Sequence, residues 1–452
     1  MVHTFYLLSL GCAKNEVDAE AMSSLLRADQ FVLVEDPAEA DFLIVNTCGF
    51  IESAKREAID SILTLADIKQ DRLDRGQKTY LVVTGCLSQR YPKDIRKDLP
   101  EVDLVLGTAE YQLIAEECRK LWEQGSNPRL PQGRGSLEHL KALHLPSTDR
   151  PYAYLKISEG CSNACAFCAI PAIRGGQKSR PIEELLAEAT YYSSLGFKEL
   201  ILIAQDTTRY GSDLYGKNSL VELLKALLTI PNAPYLRLMY VYGDSFSDEL
   251  IDLMASEGKI LPYLDMPIQH ASDRILHAMR RRETQAYMRE LFSKLRARIP
   301  GLMLRSTVMV GFPGEEESDF EQLLSFIEEI RFDRLGCFIY SAEEGTLAAK
   351  MEQQVDPDLA QVRFDRLMTQ QAKISEEASK ARIGKSYPIL IDGTADDGPF
   401  FLGRSYGEAP EIDPQIYLLA QEPDLKIGDI VECKIVEADA YSLTALTLES
   451  DW

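Results

Sequence analysis

Positive charge is scarce in this sequence. The 452 residues carry 49 Lys and Arg against 71 Asp and Glu, for a formal net charge of −22 and a pI near 4.8. That balance argues against a protein that coats nucleic-acid phosphates by bulk attraction, and it suits a basic protein partner better. Long apolar runs are also missing: none reaches the roughly 18 residues that a membrane-spanning helix needs. The stretch FYLLSLGC, ending at Cys12, has the small-residue-then-Cys look of an exported lipoprotein. It lacks a preceding Lys or Arg, however, and its apolar run is short for an export signal. The expectation is therefore a cytoplasmic protein with no membrane partner, whose nine cysteines sit in a reducing compartment. There they read as metal, redox or core residues rather than as disulfides.

A further absence concerns CSNACAFC at 161–168, three cysteines in the spacing C-x3-C-x2-C. A closed structural zinc site takes four protein ligands, yet no Cys or His follows within the next thirty residues. Either Cys161, Cys165 and Cys168 hold no metal, or one coordination position is left for another ligand.

The rest of the composition is that of an ordinary soluble protein, at 45% hydrophobic and 27% charged residues, and the length suffices for two to four domains. In the first hundred residues three apolar runs of strand length each end in cysteine: TFYLLSLGC at Cys12, ADFLIVNTC at Cys48 and KTYLVVTGC at Cys86. Helical patterns lie between them, and a fourth run, VDLVLGT, follows. This predicts a parallel sheet with helices on its faces. Parallel strands end along one edge, where ligands of open α/β sheets bind. Three buried core cysteines are the bland reading, but the same placement three times favours one shared metal site.

From residue 151 the pattern restarts, with the strand-like runs AYLKIS, ELILIAQD, LRLMYVYG, YLDMPIQH, RSTVMVGF and RLGCFIYS, each followed by a helical stretch. Residues 273–299 read as one long helix. Six such units predict a partial (β/α)6 barrel rather than a closed eightfold one. Its active site is expected at the C-terminal strand ends, where CSNACAFC, Gln205, Asp206, Gln269, His270 and GFPGE at 311–315 fall. After about residue 381, five short strands broken by Gly, Pro and Asp predict a small antiparallel β-barrel. The fold class is thus α/β with a β-barrel appended, in domains 1–124, 148–380 and 381–452, with 125–147 as a linker. Cys118, Cys337 and Cys433 match no ligand pattern and read as core residues. The acidic stretches EESDFEQ and DPDLAQ read as helix N-terminal charges on solvated faces.

CSNACAFC at a barrel mouth, with Phe167 before the last Cys, resembles the signature of the radical SAM superfamily. The resemblance implies a 4Fe-4S cluster on Cys161, Cys165 and Cys168 whose open iron takes S-adenosylmethionine, with Phe167, Gln205 and Gly311 as further S-adenosylmethionine contacts. Three cysteines ahead of the barrel and a small β-barrel behind it resemble the methylthiotransferases over essentially the whole chain. SLGCAKNEVDAE, VNTCGFIESAKREAI, VTGCLSQRY, ISEGCSNACAFCAIPAIRG, QDTTRYG, PIQHASD, VGFPGE and YSAEEGT are similar to the branch acting on a ribosomal protein, whereas tRNA-modifying relatives read more like GCQMN at the first cysteine. The last barrel resembles the TRAM domain. Ala19, where Ser is usual, and VYGDSF are departures that touch no ligand.

The resemblance implies a second 4Fe-4S cluster on Cys12, Cys48 and Cys86 that carries sulfur. The implied reaction is methylthiolation of the β-carbon of an aspartate in the small-subunit ribosomal protein numbered twelve, a second S-adenosylmethionine supplying the methyl. The partners implied are that basic protein, free or on the ribosome, and an electron donor. The alternatives are a tRNA methylthiotransferase, an iron–sulfur electron carrier and an RNA-binding module. An electron carrier would need no six-unit barrel mouth with an open iron, and charge separates the other two: residues 382–452 hold fourteen acidic and five basic side chains, so a basic protein is expected to dock there and direct tRNA binding is not.

Overall fold

The computed structural model describes residues 2–125, 129–141, 143–395, 400–419 and 425–448. The N-terminal elements are β1 (Thr4–Ser9), α1 (Ala13–Ala28), β2 (Val32–Leu33), β3 (Phe42–Thr47), α2 (Glu52–Asp74), β4 (Tyr80–Gly85), α3 (Cys86–Arg90), α4 (Pro92–Asp98), β5 (Leu104–Val105) and α5 (Ile114–Gln124). Every strand pair is parallel, in the order β2-β1-β3-β4-β5. FLIVNT and YLVVTG are buried at every position because apolar cores cover both faces of the sheet. The two-residue edge strand β2 lies outside the expected set, its side chains exposed. It matters because strand order reverses between β1 and β3, and ligands of such sheets bind beside that reversal.

The second unit comprises β6 (Tyr152–Lys156), β7 (Ser158–Glu159), α6 (Ile170–Arg174), β8 (Lys178–Ser179), α7 (Ile182–Ser194), β9 (Glu199–Ile203), α8 (Leu220–Leu227), β10 (Tyr235–Leu238), α9 (Asp248–Ser256), β11 (Ile260–Asp265), α10 (Asp273–Ala278), α11 (Gln285–Arg298), β12 (Met303–Val310), α12 (Glu317–Ile330), β13 (Arg334–Ile339) and α13 (Pro357–Lys380). Six parallel strands, in the order β6-β9-β10-β11-β12-β13, form the expected open barrel wall. Residues 273–299 are two helices rather than one. Arg280 adopts a left-handed φ of 59°, and Thr284 caps α11 by accepting from Tyr287 N–H. The EESDFEQ stretch is only partly a solvated face. Asp319 is buried and accepts hydrogen bonds from Ser272 Oγ and the Glu316 N–H, closing a capping box.

The third unit is a closed barrel of β14 (Ser386–Thr394), β15 (Phe401–Arg404), β16 (Ile416–Leu419), β17 (Ile430–Ala438) and β18 (Leu443–Thr447). It is not wholly antiparallel as expected: β16 and β18 pair in parallel, because closure brings them together around the intervening β17.

The three units share one core. On β6 and β9, Ala153, Leu155, Leu200 and Leu202 face the outer helices, while Tyr152, Tyr154, Ile201 and Ile203 face the lumen. Against the lumen set pack Ala13, Val17 and Ala21 of α1 and Ala409 of the third unit. The N-terminal helix thus fills the open side of the partial barrel. The linker expected at 125–147 is packed where it is described, residues 126–128 and 142 lying outside the described residues. His139 is buried with its Nε2 2.8 Å from Asp18 Oδ1, and His144 Nε2 is 2.8 Å from the Tyr192 hydroxyl. Among the described residues, no helix is long and apolar enough to cross a membrane.

Candidate active site

The parallel strands deliver three cysteines to one edge. Cys12 is the N-cap of α1, Cys48 follows β3, and Cys86 opens α3. The loops touch: a Cβ on Gly11 would lie 2.7 Å from Cys48 Cβ, and one on Gly49 would lie 2.7 Å from Leu87 Cα. Asn15 ties them together, its Nδ2 donating to Leu10 O at 2.9 Å and to Thr47 O at 3.0 Å. The thiols are near enough to raise one another's pKa. Burial, with Cys48 and Cys12 adding to it, pushes Cys86 to about 12, and burial raises Cys48. Cys12 is exposed at the surface, yet crowding by protein atoms around it still raises its thiol; the Lys14 and Arg174 cations outweigh that and hold it below its usual range.

The second trio lies at the barrel mouth in the loop between β7 and α6. Cys161 N–H donates to Gly175 O (3.1 Å) and Asn163 Nδ2 donates to Asp206 Oδ2 (2.7 Å), which pins the loop to the end of β9. The N–H groups of Asn163 and Ile170 point at the sulfurs of Cys161 and Cys168, each at 3.4 Å. Burial pushes Cys161 to about 11 and Cys168 to about 12. A thiol so placed keeps its proton until a metal replaces it.

Both trios suit iron–sulfur ligation by the chemistry of the donor set, three thiols and aimed amides. Among the described residues, no three His, Cys, Asp or Glu side chains converge as tightly as one ion requires. A cubane gives each thiolate its own iron, so its three cysteines stand apart.

Between the trios runs a buried charge network. From α6, Arg174 Nε donates to Cys86 Sγ at 3.3 Å, while Nη1 donates to Asp18 (3.0 Å) and Glu159 (2.8 Å) and Nη2 to Asn15 Oδ1 (2.5 Å). Lys156 Nζ reaches the same two carboxylates at 2.6 and 2.5 Å. Two cations face two carboxylates, and these four side chains are at most 2% exposed. The network joins the N-terminal helix to the barrel and touches the first trio at Cys86. Asn15, Asp18, Lys156, Glu159 and Arg174 were missed in the sequence. For Lys156 and Glu159 the signal was a polar residue interrupting an apolar run, in YLKISEGC; Asn15, Asp18 and Arg174 carried none.

A cavity of about 470 Å³ opens beside the second trio, lined by Phe50, Ile51, Phe167, Gln269, Thr307 and Met309. Buried Glu343 also lines it and clamps the two units there, 2.7 Å from Arg90 Nη1 and 3.0 Å from Lys55 Nζ. A larger cleft of about 760 Å³ beside α1 carries none of the six thiols.

Of the other expected contacts, Phe167 faces the cavity, and Gln205 donates to Glu159 Oε1 (3.1 Å) while its own buried Oε1 has no protein partner among the described residues. At Gly311 a Cβ would lie 2.7 Å from Ala360 Cβ, so α13 approaches the backbone closely there. Asp206 anchors the cysteine loop, and His270 is buried, its Nδ1 accepting from Ser272 N–H at 2.9 Å. Cys118, Cys337 and Cys433 each lie in an apolar core.

The acidic surplus of the last domain is partly internal. Glu408 is buried against Arg382 and Ser405, Asp392 pairs with Arg404 at 2.6 Å, and Asp413 accepts from the Tyr263 hydroxyl at 2.6 Å. Among the described residues the outward acids are Glu411, Asp429, Glu432, Glu437 and Asp439, against outward Lys385, Lys426 and Lys434.

The order of units and the thiol trio at the barrel mouth define a radical SAM enzyme: residues 155–327 match the radical SAM superfamily, 4–107 an uncharacterised family designated UPF0004, and 383–447 the TRAM domain. The fold is similar to solved radical S-adenosylmethionine enzymes. TsrM from Kitasatospora setae superposes with a TM-score of 0.58 at 13% identity, over 82% of this chain and 89% of that one, and OxsB with 0.55 at 13% identity, over 82% and 56%. Curated relatives match nearly end to end. The ribosomal protein uS12 methylthiotransferase RimO of Acetivibrio thermocellus is 43% identical over 97% of this chain and 96% of its own, and that of Geobacter sulfurreducens is 45% identical over 97% of each. The chain belongs to the family of ribosomal protein uS12 methylthiotransferases.

Proposed function

We propose that this chain methylthiolates the β-carbon of an aspartate in ribosomal protein uS12. Cys161, Cys165 and Cys168 hold the cluster that binds S-adenosylmethionine, and Cys12, Cys48 and Cys86 hold the second cluster. The observation that carries the reading is the packing of Cys86, from the first trio, against Ala169 and Ile173 just past the second, with Arg174 bonded to it, in a chain related to uS12 methylthiotransferases over nearly its whole length.

When bound, the clusters and S-adenosylmethionine supply the reductive cleavage, the hydrogen abstraction and the sulfur and methyl groups. The protein's part is confinement. Backbone amides aimed at Cys161 and Cys168 favour the thiolate form. Arg174 fixes Cys86 relative to the barrel. The unpartnered Gln205 Oε1 offers an acceptor for the S-adenosylmethionine amine, and Phe167, Met309 and Ile51 give that ligand a dry wall. The outward acids of the third domain attract a basic ribosomal protein and repel polyphosphate, which favours uS12 over a tRNA.

The test is replacement of each trio by alanine in the full chain. Losing Cys161, Cys165 and Cys168 abolishes S-adenosylmethionine cleavage. Losing Cys12, Cys48 and Cys86 abolishes the methylthio product on uS12 while 5′-deoxyadenosine still forms. Methylthio transfer surviving the loss of Cys48 sinks the assignment.

A further inference from the structure

One buried cation in the site has no carboxylate within bonding distance among the described residues. Lys14, in the first turn of α1, is 8% exposed, and its Nζ sits 2.9 Å from the centroid of the Tyr240 ring. The carboxylates around it are committed elsewhere. Asp265 takes Arg305 at 2.9 Å and Tyr240 N–H at 3.2 Å, while Asp18 and Glu159 take Lys156 and Arg174. Cys12 and Asp265 act on Lys14 only through their fields; a desolvated ammonium resting on a ring without a carboxylate of its own is costly, and a carboxylate brought to it forms a charge-assisted bond stronger than the ring contact.

The surroundings belong to the reaction site. Lys14 is two residues from Cys12, and Tyr240 stands past the C-terminal end of β10, at the barrel mouth. Tyr240 and Gln269, beyond the ends of adjacent strands, both hold left-handed backbones, φ 58° and 69°, the kind of local strain that clusters at working sites. Along β12, Arg305, Thr307 and Met309 share one face, and the last two line the cavity beside Phe167. Arg305, which pairs with Asp265 near Lys14, thus lies on the strand face whose next two residues line that cavity.

We propose that Lys14 binds the side-chain carboxylate of the substrate aspartate and so selects an acidic residue for modification. This rests on the uS12 reading above. The carboxyl carbon is bonded directly to the β-carbon, so a residue that fixes the carboxylate also fixes the reacting carbon, next to the first thiol trio.

The test uses full-length, anaerobically reconstituted enzyme, intact uS12 and a uS12 variant with asparagine at the target position. Affinity is measured by titration, alongside KM and kcat and the iron and sulfide content. Wild type should bind the aspartate form at least ~10-fold more tightly than the asparagine form, within the range found for close charge pairs across interfaces. K14M should erase that preference and raise KM about 10- to 100-fold, with iron and sulfide content unchanged, and K14R should restore most of it. Equal discrimination by wild type and K14M overturns the inference, as does loss of iron from the Cys12 trio in K14M, which would make Lys14 a counter-ion to the thiolate. A wild-type enzyme that leaves uS12 unmodified overturns the substrate reading itself; one that modifies uS12 while K14M still prefers the aspartate form overturns this inference alone.

Discussion

Removing Asp18 should loosen the joint between the N-terminal helix and the barrel. Its carboxylate is fully buried and faces Lys156 at 2.6 Å, Arg174 at 3.0 Å and His139 at 2.8 Å. In Asp18→Ala, Glu159 alone remains to balance Lys156 and Arg174. Breaking a buried pair by deleting one partner costs about 3–5 kcal/mol, which multiplies the population of the locally opened form by ~10²–10⁴. The opening should be local first: α1, whose Ala13, Val17 and Ala21 fill the lumen, and the inner faces of β6 and β9. Native-state hydrogen exchange resolves this, because protection in those segments reports the opening free energy. The control is Asp74→Ala at the exposed end of α2, where the partner is Gln70 at 2.7 Å and the cost should stay under ~1 kcal/mol. Unchanged protection of α1 in Asp18→Ala would refute the view that this network holds the two units together.

Other outcomes follow from the same structure. Glu408 is buried, and although burial opposes it, Arg382 holds its carboxyl down to about 2. A depressed carboxylate pKa stabilises above the unfolded value near 4.5 and loses that contribution as pH falls toward 2. Acid titration should therefore release ~3 kcal/mol of stability across that window in wild type and not in Glu408→Gln, the two converging at low pH. Gly11→Ala forces a Cβ to 2.7 Å from Cys48 Cβ at a φ of 95°; it should cost about 1–3 kcal/mol and lower iron content at the first trio, leaving the second intact, as read by anaerobic iron quantitation. Binding of uS12 should weaken steadily with salt, since outward acids exceed outward lysines on the third domain; salt-independent binding would remove that domain from the docking account.

Much of this was legible beforehand because the signals are local. FLIVNTC and YLVVTGC are too apolar to be anything but buried parallel strands, and parallel strands bring Cys12, Cys48 and Cys86 to one edge. The six barrel units and CSNACAFC were visible for the same reason. What stayed hidden depends on tertiary placement. Nothing local in AKNEVDAEAM says that α1 fills another unit's lumen, so residues 1–124 and 148–380 read as separate domains although they share a core. Arg174 reads as an ordinary helix-end arginine until Cys86, Asn15, Asp18 and Glu159 converge on it from three other segments. The acids Asp392, Glu408 and Asp413 count as surface charge in any composition, and only packing against Arg404, Arg382 and Tyr263 removes them from it. The parallel closure of β16 on β18 is likewise a property of the closed barrel, not of either strand.

The most direct test of the central claim is mass analysis of uS12 after incubation with the anaerobically reconstituted enzyme, reductant and S-adenosylmethionine carrying a deuterated methyl group. The account predicts one aspartate of uS12 bearing one methylthio group in place of a β-hydrogen, with the label in its methyl. An unmodified uS12 under conditions where 5′-deoxyadenosine accumulates, or a methylthio group found instead on tRNA, would contradict it.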